Sequence, residues 1–438
     1  MSKKKAIITL CIVSVVVALS LIFSFISFDV AGKNYKYMGF ANAVQQGVEY
    51  GGGVYADYEA IKPEGMSDAD YASKLDETFA RVESVLSTKG MDSAYVAKTQ
   101  NGIRVEVPNR NDASDVLSAL GAGLLKIRTA DDATADPIIT GEDVVAAFAT
   151  QLQTSQTAYQ WGAYISFNDE GKDALATATK DAENSAITLY MYRGEEETAF
   201  FSLQIQSKVA DGFMFISSSS MSQEYAEGLA LQLYSGSLPL TIETVGDQVL
   251  TVSPGIGKTA ILGLTIAAGA LILALVIFFV VRYREFGLMI TLSLLLFVGL
   301  MLFLLQAMPI YEISVAGMAG VLVSILLFAT SHIVIFERIK REYASGKKIP
   351  AAVKFAFKRS TGLIIDASAL LMIAGILCYF IGTGALKTFA IALLVGSALS
   401  LLISVLITKF LTDSYVAFNK TNAKRVNLRR EEGIDEIG

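Results

Sequence analysis

The sequence predicts a membrane protein: a six-helix transmembrane bundle with a large α+β, ferredoxin-like extracytoplasmic domain between spans 1 and 2. Three observations point there. Hydrophobic residues make up 53% of the 438 residues, above the roughly 45–50% of ordinary soluble chains. Six apolar stretches are long enough to cross about 30 Å of hydrocarbon as helices. Charge is also divided along the chain. Residues 29–258 hold 32 acidic and 16 basic residues, a net −16, while the remainder carries a net +10.

The apolar stretches are Ala6–Phe28, Thr259–Val281, Leu288–Ala307, Val315–Phe336, Thr361–Ile381 and Phe389–Leu411. Lys3, Lys4 and Lys5 precede the first, as in a signal peptide, but no small-x-small cleavage site follows, so a retained anchor is expected. The short basic segments Lys3–Lys5, Arg282/Arg284, Glu337–Arg359 and Lys424–Arg430 fall on one side of a six-span chain. The positive-inside rule then makes both termini cytoplasmic and puts the large insert outside a plasma membrane. Four regions follow: 1–28, the N-terminus and first span; 29–258, the extracytoplasmic domain; 259–411, spans 2–6; and 412–438, a basic cytoplasmic tail. The basic loops suit an anionic leaflet, hence membrane lipid as a partner. They lie beside spans rather than in a separate patch, which argues against nucleic acid.

Within the insert, Ser67–Leu86 reads as a helix with Ser67 and Asp70 in capping-box-like spacing. Its apolar stripe is Leu75, Phe79, Val82 and Leu86, and Gly90 stops it. Ile103–Val107 alternates as a half-buried strand closed by Pro108. Asp112–Leu120 is a helix and Leu124–Arg128 a strand. A second block reads as helix Thr140–Leu152, strand Ala163–Phe167 and helix Asp169–Ala182, then strands Ala186–Tyr192, Phe200–Gln206 and Gly212–Ser218. Helix Ser222–Tyr234, stopped at Gly236, and strand Leu238–Thr244 complete it. Strands interleaved with helices in this order suggest a ferredoxin-like α+β layer.

Little in the chain points to bond-making chemistry. Cys11 and Cys378 lie in spans, and two cysteines with one histidine build neither a disulfide framework nor a zinc site. No metal, cofactor or enzymatic activity is expected. Gly255–Thr259 ends in Gly-Lys-Thr, but Val252 stands where a phosphate loop needs glycine, so a hinge is the better reading. Gly51-Gly52-Gly53 permits either a loop entering a strand or a close approach by another chain. Glu337–Glu342 is a charged helix end in which Glu337/Arg341 and Arg338/Glu342 are spaced to pair.

Two ionisable groups fall inside spans, where they are costly and rarely idle. His332, the only histidine, lies four residues before the end of the fourth apolar run; Asp366 lies five residues into the next. Antiparallel neighbours could bring them together as a coupled proton-exchanging pair. Alternatively, Asp366 bonds backbone amides or Ser368, and His332 points into an interface.

Several motifs together resemble the SecD family of protein-export membrane proteins. Gly47, Glu49, Gly52 and Gly53 with Val54 resemble its entry motif. Thr140–Asp143, Phe167–Gly171 and Leu233–Ile242 resemble its outer domain. Arg282–Gly287, Ala316–Gly320, Ile335–Arg341 with Glu337 and Arg338, and the turn Gly382-Thr383-Gly384 resemble its membrane half. The resemblance covers nearly the whole chain in order. It implies a resistance-nodulation-division-type bundle working with a SecF-like subunit and a SecYEG-type channel. Proton motive force would help draw unfolded secretory polypeptide outward, with the outer domain holding the emerging chain.

The departures from that pattern are specific. The family's fourth span usually carries Asp-Ala-Asn before its Phe-Glu-Arg; here Thr330, Ser331 and His332 occupy those places. The fifth-span counterpart survives as Asp366-Ala367-Ser368. Gly51 replaces a usual polar residue, Ala385 a proline and Thr388 a glycine. Threonine does not titrate in this range. Either His332 and Asp366 replace the lost carrier, or a partner supplies the protons, or the chain is a divergent paralogue. A related exporter of lipid or small molecules and a non-coupled scaffold subunit are the alternative functions.

Overall fold

This computed structural model of the protein describes residues 3–29, 36–91, 94–99, 102–132, 134–153, 159–182, 186–193, 198–218, 220–246, 249–255, 258–308, 311–382, 384–418 and 423–430. The chain forms two compact units, Gly52–Val252 and the combination of Met1–Gly51 with Ser253–Gly438. Residues 36–51, grouped above with the extracytoplasmic domain, thus belong with the helices. Gln45–Gln46 pairs in parallel with Glu312–Ile313 there.

The Gly52–Val252 unit begins with strand β1 (Gly53–Ala60), helix α1 (Asp68–Thr88), strands β2 (Tyr95–Lys98) and β3 (Gly102–Pro108) and helix α2 (Ala113–Leu120). It then makes an excursion of about 120 residues before β11 (Ile242–Thr244) and β12 (Leu250–Val252) return to the edge of β1. The order β11-β1-β3-β2, antiparallel throughout, is the split β-α-β arrangement of a ferredoxin-like layer. Alternation builds its core: Ala56 and Tyr58 of β1 and Ile103, Val105 and Val107 of β3 are buried. Val82, Val85 and Leu86 of α1 and Val116, Leu117 and Leu120 of α2 join the same core. Tyr58 donates its hydroxyl hydrogen to the Leu117 carbonyl, 2.7 Å away, so the buried phenol is satisfied. Ser67 caps α1 by accepting from the Asp70 amide.

The excursion forms the head of this unit. Its elements are β4 (Lys126–Arg128), β5 (Ile139–Thr140), β6 (Val144–Gln153), β7 (Tyr159–Phe167), α3 (Asp169–Ala178), β8 (Ile187–Arg193), β9 (Thr198–Ile205), β10 (Phe213–Ser217) and α4 (Gln223–Ser235). They make two sheets, β10-β7-β6 and β9-β8-β4-β5. The helix expected over Thr140–Leu152 is absent. Thr140 and Asp143 do form a capping box, but it starts only one 3-10 turn, Gly141–Asp143. Val144 and Val145 are β-branched, and pairing with β7 extends the following residues to Gln153. Likewise α3 stops at Ala178, short of Ala182, and only Ile242–Thr244 of the stretch after Pro239 joins the sheet.

Arg193 ties head to base. It is buried, its Nε donates to the Gly123 carbonyl, and Nη2 donates to the Ala119 carbonyl at the end of α2. Nη1 reaches the Gln232 carbonyl and the Ser235 hydroxyl on α4. Burial pulls its pKa down to about 10, still high enough to keep the guanidinium charged at neutral pH.

The other unit contains six apolar helices among the described residues: Lys3–Phe25, Lys258–Tyr283, Glu285–Ala307, Val315–Ala344, Ile349–Ile381 and a last one running Ala385–Phe418. Several outrun their apolar cores. The fourth continues through the charged Glu337–Glu342 segment, and the fifth starts twelve residues before Thr361. The last is interrupted by a π-helical stretch, Ile403–Ile407. A tight reversal with Arg284 at φ 53° joins the second and third helices. Gly287 lies so close to the Phe279 carbonyl that a side chain there would collide with it. The core holds a set of large rings, with Phe279, Phe286, Phe297, Phe328, Phe336 and Phe357 almost fully buried.

Candidate functional site in the helix bundle

His332 lies in the interior of the fourth helix with no solvent exposure. Its ring packs against that of Phe328, with centroids 4.0 Å apart and planes tilted by 31°. Nδ1 is 2.7 Å from the Phe328 carbonyl oxygen, which can only accept, so Nδ1 carries a hydrogen and donates it. Nε2 is 2.8 Å from Thr408 Oγ1, just beyond the π-helical stretch. Thr408 Oγ1 is also 2.8 Å from Ser293 Oγ on the third helix and 3.0 Å from the Ile403 carbonyl. Ser293 in turn donates to the Met289 carbonyl. These bonds join the third, fourth and last helices through one ring and two hydroxyls.

The chemistry of this network is that of a rotor. With a neutral ring, Thr408 points its hydrogen at Nε2. Were Nε2 to gain a proton, Thr408 could accept from the ring and turn its hydrogen to Ser293 or Ile403. Both states are satisfied by rotating one hydroxyl. A countercharge is missing: among the described residues no carboxylate bonds to the ring.

Asp366 and Thr330 lie elsewhere. Both are exposed on the surface of this chain, Asp366 near the middle of the fifth helix and Thr330 on the fourth. Among the described residues no hydrogen bond or ion pair joins His332 to Asp366. Nor does Asp366 bond Ser368, whose buried hydroxyl has no partner. The arrangement therefore separates an inward histidine from two outward positions.

The glycine-rich entry segment does a different task. The Gly47 amide donates to the Ile313 carbonyl at 2.9 Å, continuing the parallel pairing of Gln45–Gln46. Glu49 Oε2 accepts from the Val315 amide at 2.5 Å, placing a carboxylate on the N-terminus of the fourth helix, where unpaired amides and the helix dipole favour it. Ser314 caps the same helix end by accepting from Gly317 and shares a 2.5 Å hydrogen bond with Thr388. Gly52 adopts φ 71°, and at Gly53 a Cβ would lie 2.1 Å from the Val107 carbonyl, so β1 and β3 approach too closely for a side chain. Gly382 ends the fifth helix by donating to the Cys378 carbonyl, and Gly384 has φ 50°; Thr383 lies outside the described residues, as do residues 256–257 of the expected hinge.

At the opposite end of the fourth helix, Glu337 and Glu342 do not take the i,i+4 partners that their spacing allows. Glu337 binds Arg282 at 2.8 Å, Lys340 at 3.2 Å and the Tyr283 hydroxyl at 3.1 Å. Glu342 pairs with Lys347 and Arg359. Arg338 donates to the Arg359 carbonyl at 3.2 Å. Arg282 and Tyr283 from the second helix and Arg359 from the fifth join Lys340 and Lys347 around these two carboxylates and tie the bundle end together. Thr408, Ser293 and the Glu49–Val315 bond have no distinct signature in the sequence, beyond hydroxyls placed in otherwise apolar spans.

Residues 129–240, which make up most of the head, match the family model for the P1 head subdomain of SecDF. The chain is 29% identical over 390 residues to the protein translocase subunit SecD of Acidaminococcus fermentans, covering 87% of this chain and 88% of that one. It is 26% identical over 392 residues to SecD of Sebaldella termitidis, covering 88% and 93%. Among solved structures, SecDF in a super-membrane-facing form superposes with a TM-score of 0.67 at 22% identity. That match covers 95% of this chain and 58% of the SecDF chain. A translocon-associated SecDF from Thermus gives 0.52 at 21% identity, with 95% and 60% covered. The chain thus spans somewhat less than two thirds of those SecDF proteins, and the likeness extends through both of its units.

Proposed function

We propose, on the premise that this chain belongs to the SecD family, that it is a protein-translocase subunit assisting export of secreted polypeptide across the plasma membrane. The observation that carries this reading is the relation to SecD subunits along nearly the full length, outer unit and bundle alike. The termini are cytoplasmic and the outer unit faces outward, as the basic segments at alternate helix ends favour. Its partners are a SecF-like subunit, a SecYEG-type channel and the unfolded chain in transit.

Two surfaces support those partners. On the head, Phe148, Tyr164 and Phe213 form a ring ladder with centroids 5.0 and 5.6 Å apart, and Phe148 and Phe213 are 43% and 44% exposed. An open aromatic sheet face suits sequence-tolerant contact with an unfolded polypeptide. On the bundle, an exposed carboxylate at Asp366 would face hydrocarbon unless another membrane subunit or a water-lined cavity covered it. A SecF-like subunit covering Asp366 and Thr330 supplies that environment.

Proton motive force drives the cycle, with Asp366 as the carrier presented to the partner. Thr330 marks the family's second carrier position, here without a carboxylate. His332 acts by holding the third, fourth and last helices through Thr408 and Ser293. The test is export at a fixed proton gradient in Asp366→Asn and His332→Ala variants within the assembled translocase. Loss of gradient-stimulated export in Asp366→Asn is the expected result. Undiminished stimulation in both variants would remove this chain from the proton path.

A further inference from the structure

Between the start of the fifth helix and the end of the last one lies an open groove of about 590 Å³. Lys354, Lys358 and Thr361 line one wall at i, i+4 and i+7 spacing; Lys409 and Asp413, one turn apart, line the other. Deeper along the antiparallel pair the wall becomes apolar, with Val405 and Leu406, and Phe410 continues that apolar surface beside Lys409. Leu406 is 59% exposed, and it belongs to the π-helical stretch. Three lysines against one aspartate give the mouth an excess of two positive charges.

These lysines differ from four other cations at the same end of the bundle. Arg282, Lys340, Lys347 and Arg359 are all paired with Glu337 or Glu342. Among the described residues, Lys354, Lys358 and Lys409 make no hydrogen bond or ion pair. An unpaired ammonium cluster above an apolar wall, at the boundary of membrane-spanning helices, matches an amphiphile with an anionic head.

We propose that this groove binds an anionic phospholipid. Its phosphate is held by Lys354, Lys358 and Lys409, and an acyl chain lies along Val405, Leu406 and Phe410. A basic site of this kind reads a headgroup by charge, each lysine near an anionic leaflet contributing about fivefold in affinity. The proposal goes beyond the translocase reading and does not depend on it.

The experiment is native mass spectrometry of the full chain released from nanodiscs of equal phosphatidylglycerol and phosphatidylcholine. One phosphatidylglycerol should stay bound in preference to phosphatidylcholine. The triple variant Lys354→Gln, Lys358→Gln, Lys409→Gln should retain at least fivefold less. Removing three cations of the same end outside the groove, by Lys348→Gln, Lys424→Gln and Arg429→Gln, should leave retention unchanged. Leu406→Glu, which keeps all three lysines, should also release the lipid. Equal retention in the groove triple, or an equal loss in the control triple, would overturn the site. So would displacement of the lipid by millimolar inorganic phosphate, which identifies a free-anion site, or its replacement by a co-purified acidic protein helix.

Discussion

At the scale of single residues, the bond between His332 and Thr408 is what satisfies the second ring nitrogen in the bundle interior. Nδ1 is committed to a carbonyl, so Nε2 depends on the threonine hydroxyl. Thr408→Val keeps shape and strands that nitrogen in a dry core, at a cost of about 1–3 kcal/mol. The unfolding midpoint of the purified chain should fall accordingly, while Thr408→Ser should stay near wild type. An unchanged midpoint in Thr408→Val would mean the ring has another partner. The sequence marked His332 and Asp366 as ionisable groups inside spans, but not which way each points. Spans that are apolar on every side carry no stripe to fix their rotation. The inward turn of His332, the outward turn of Thr330 and Asp366, and the π-helical stretch that delivers Thr408 all come from packing among helices distant in sequence.

Among secondary-structure elements, one buried guanidinium bonds both sides of the head-to-base junction, beside surface contacts such as Lys74–Glu142 and Arg81 to the Val145 carbonyl. Arg193 bonds carbonyls on α2 and after it, together with the end of α4. Arg193→Met leaves several of those acceptors unpaired inside the protein, a loss of at least about 3 kcal/mol. The chain's one tryptophan, Trp161, lies on β7 in the same unit, so its fluorescence reports the transition directly. A variant unfolding at the wild-type denaturant midpoint would contradict this role. Thr140→Ala should cost about 1 kcal/mol by removing the capping box. That box also explains where reading elements from sequence succeeds and fails. The strand over Ile103–Val107 and the helices after Ser67 and Ser222 were legible because alternation, caps and stops agree. At Thr140 the local cap and the long-range partner disagree: the cap specifies a turn, and β7, which lies beyond it in the chain, decides that the next ten residues are extended.

For the whole molecule, the unresolved balance concerns a carboxylate placed on the outside of an apolar bundle. Inside a lone chain Asp366 contributes no hydrogen bond or ion pair among the described residues, and facing hydrocarbon it is a cost rather than a support. Asp366→Leu should therefore leave the isolated chain as stable as wild type, within about 0.5 kcal/mol, or slightly more so. The same change should weaken association with a SecF-like subunit, because an apolar side chain cannot replace a carboxylate inside a polar contact without leaving the partner's groups unpaired. Two measurements on one variant separate the cases: the unfolding midpoint of the purified chain, and the fraction of partner retained on co-purification. A destabilised lone chain would place the carboxylate's partner within this protein. A stable chain with full partner retention would leave Asp366 to a water-lined path, and proton coupling would then be tested by export alone. A stable chain that loses its partner locates the functional surface at Asp366, where the bundle is incomplete by itself.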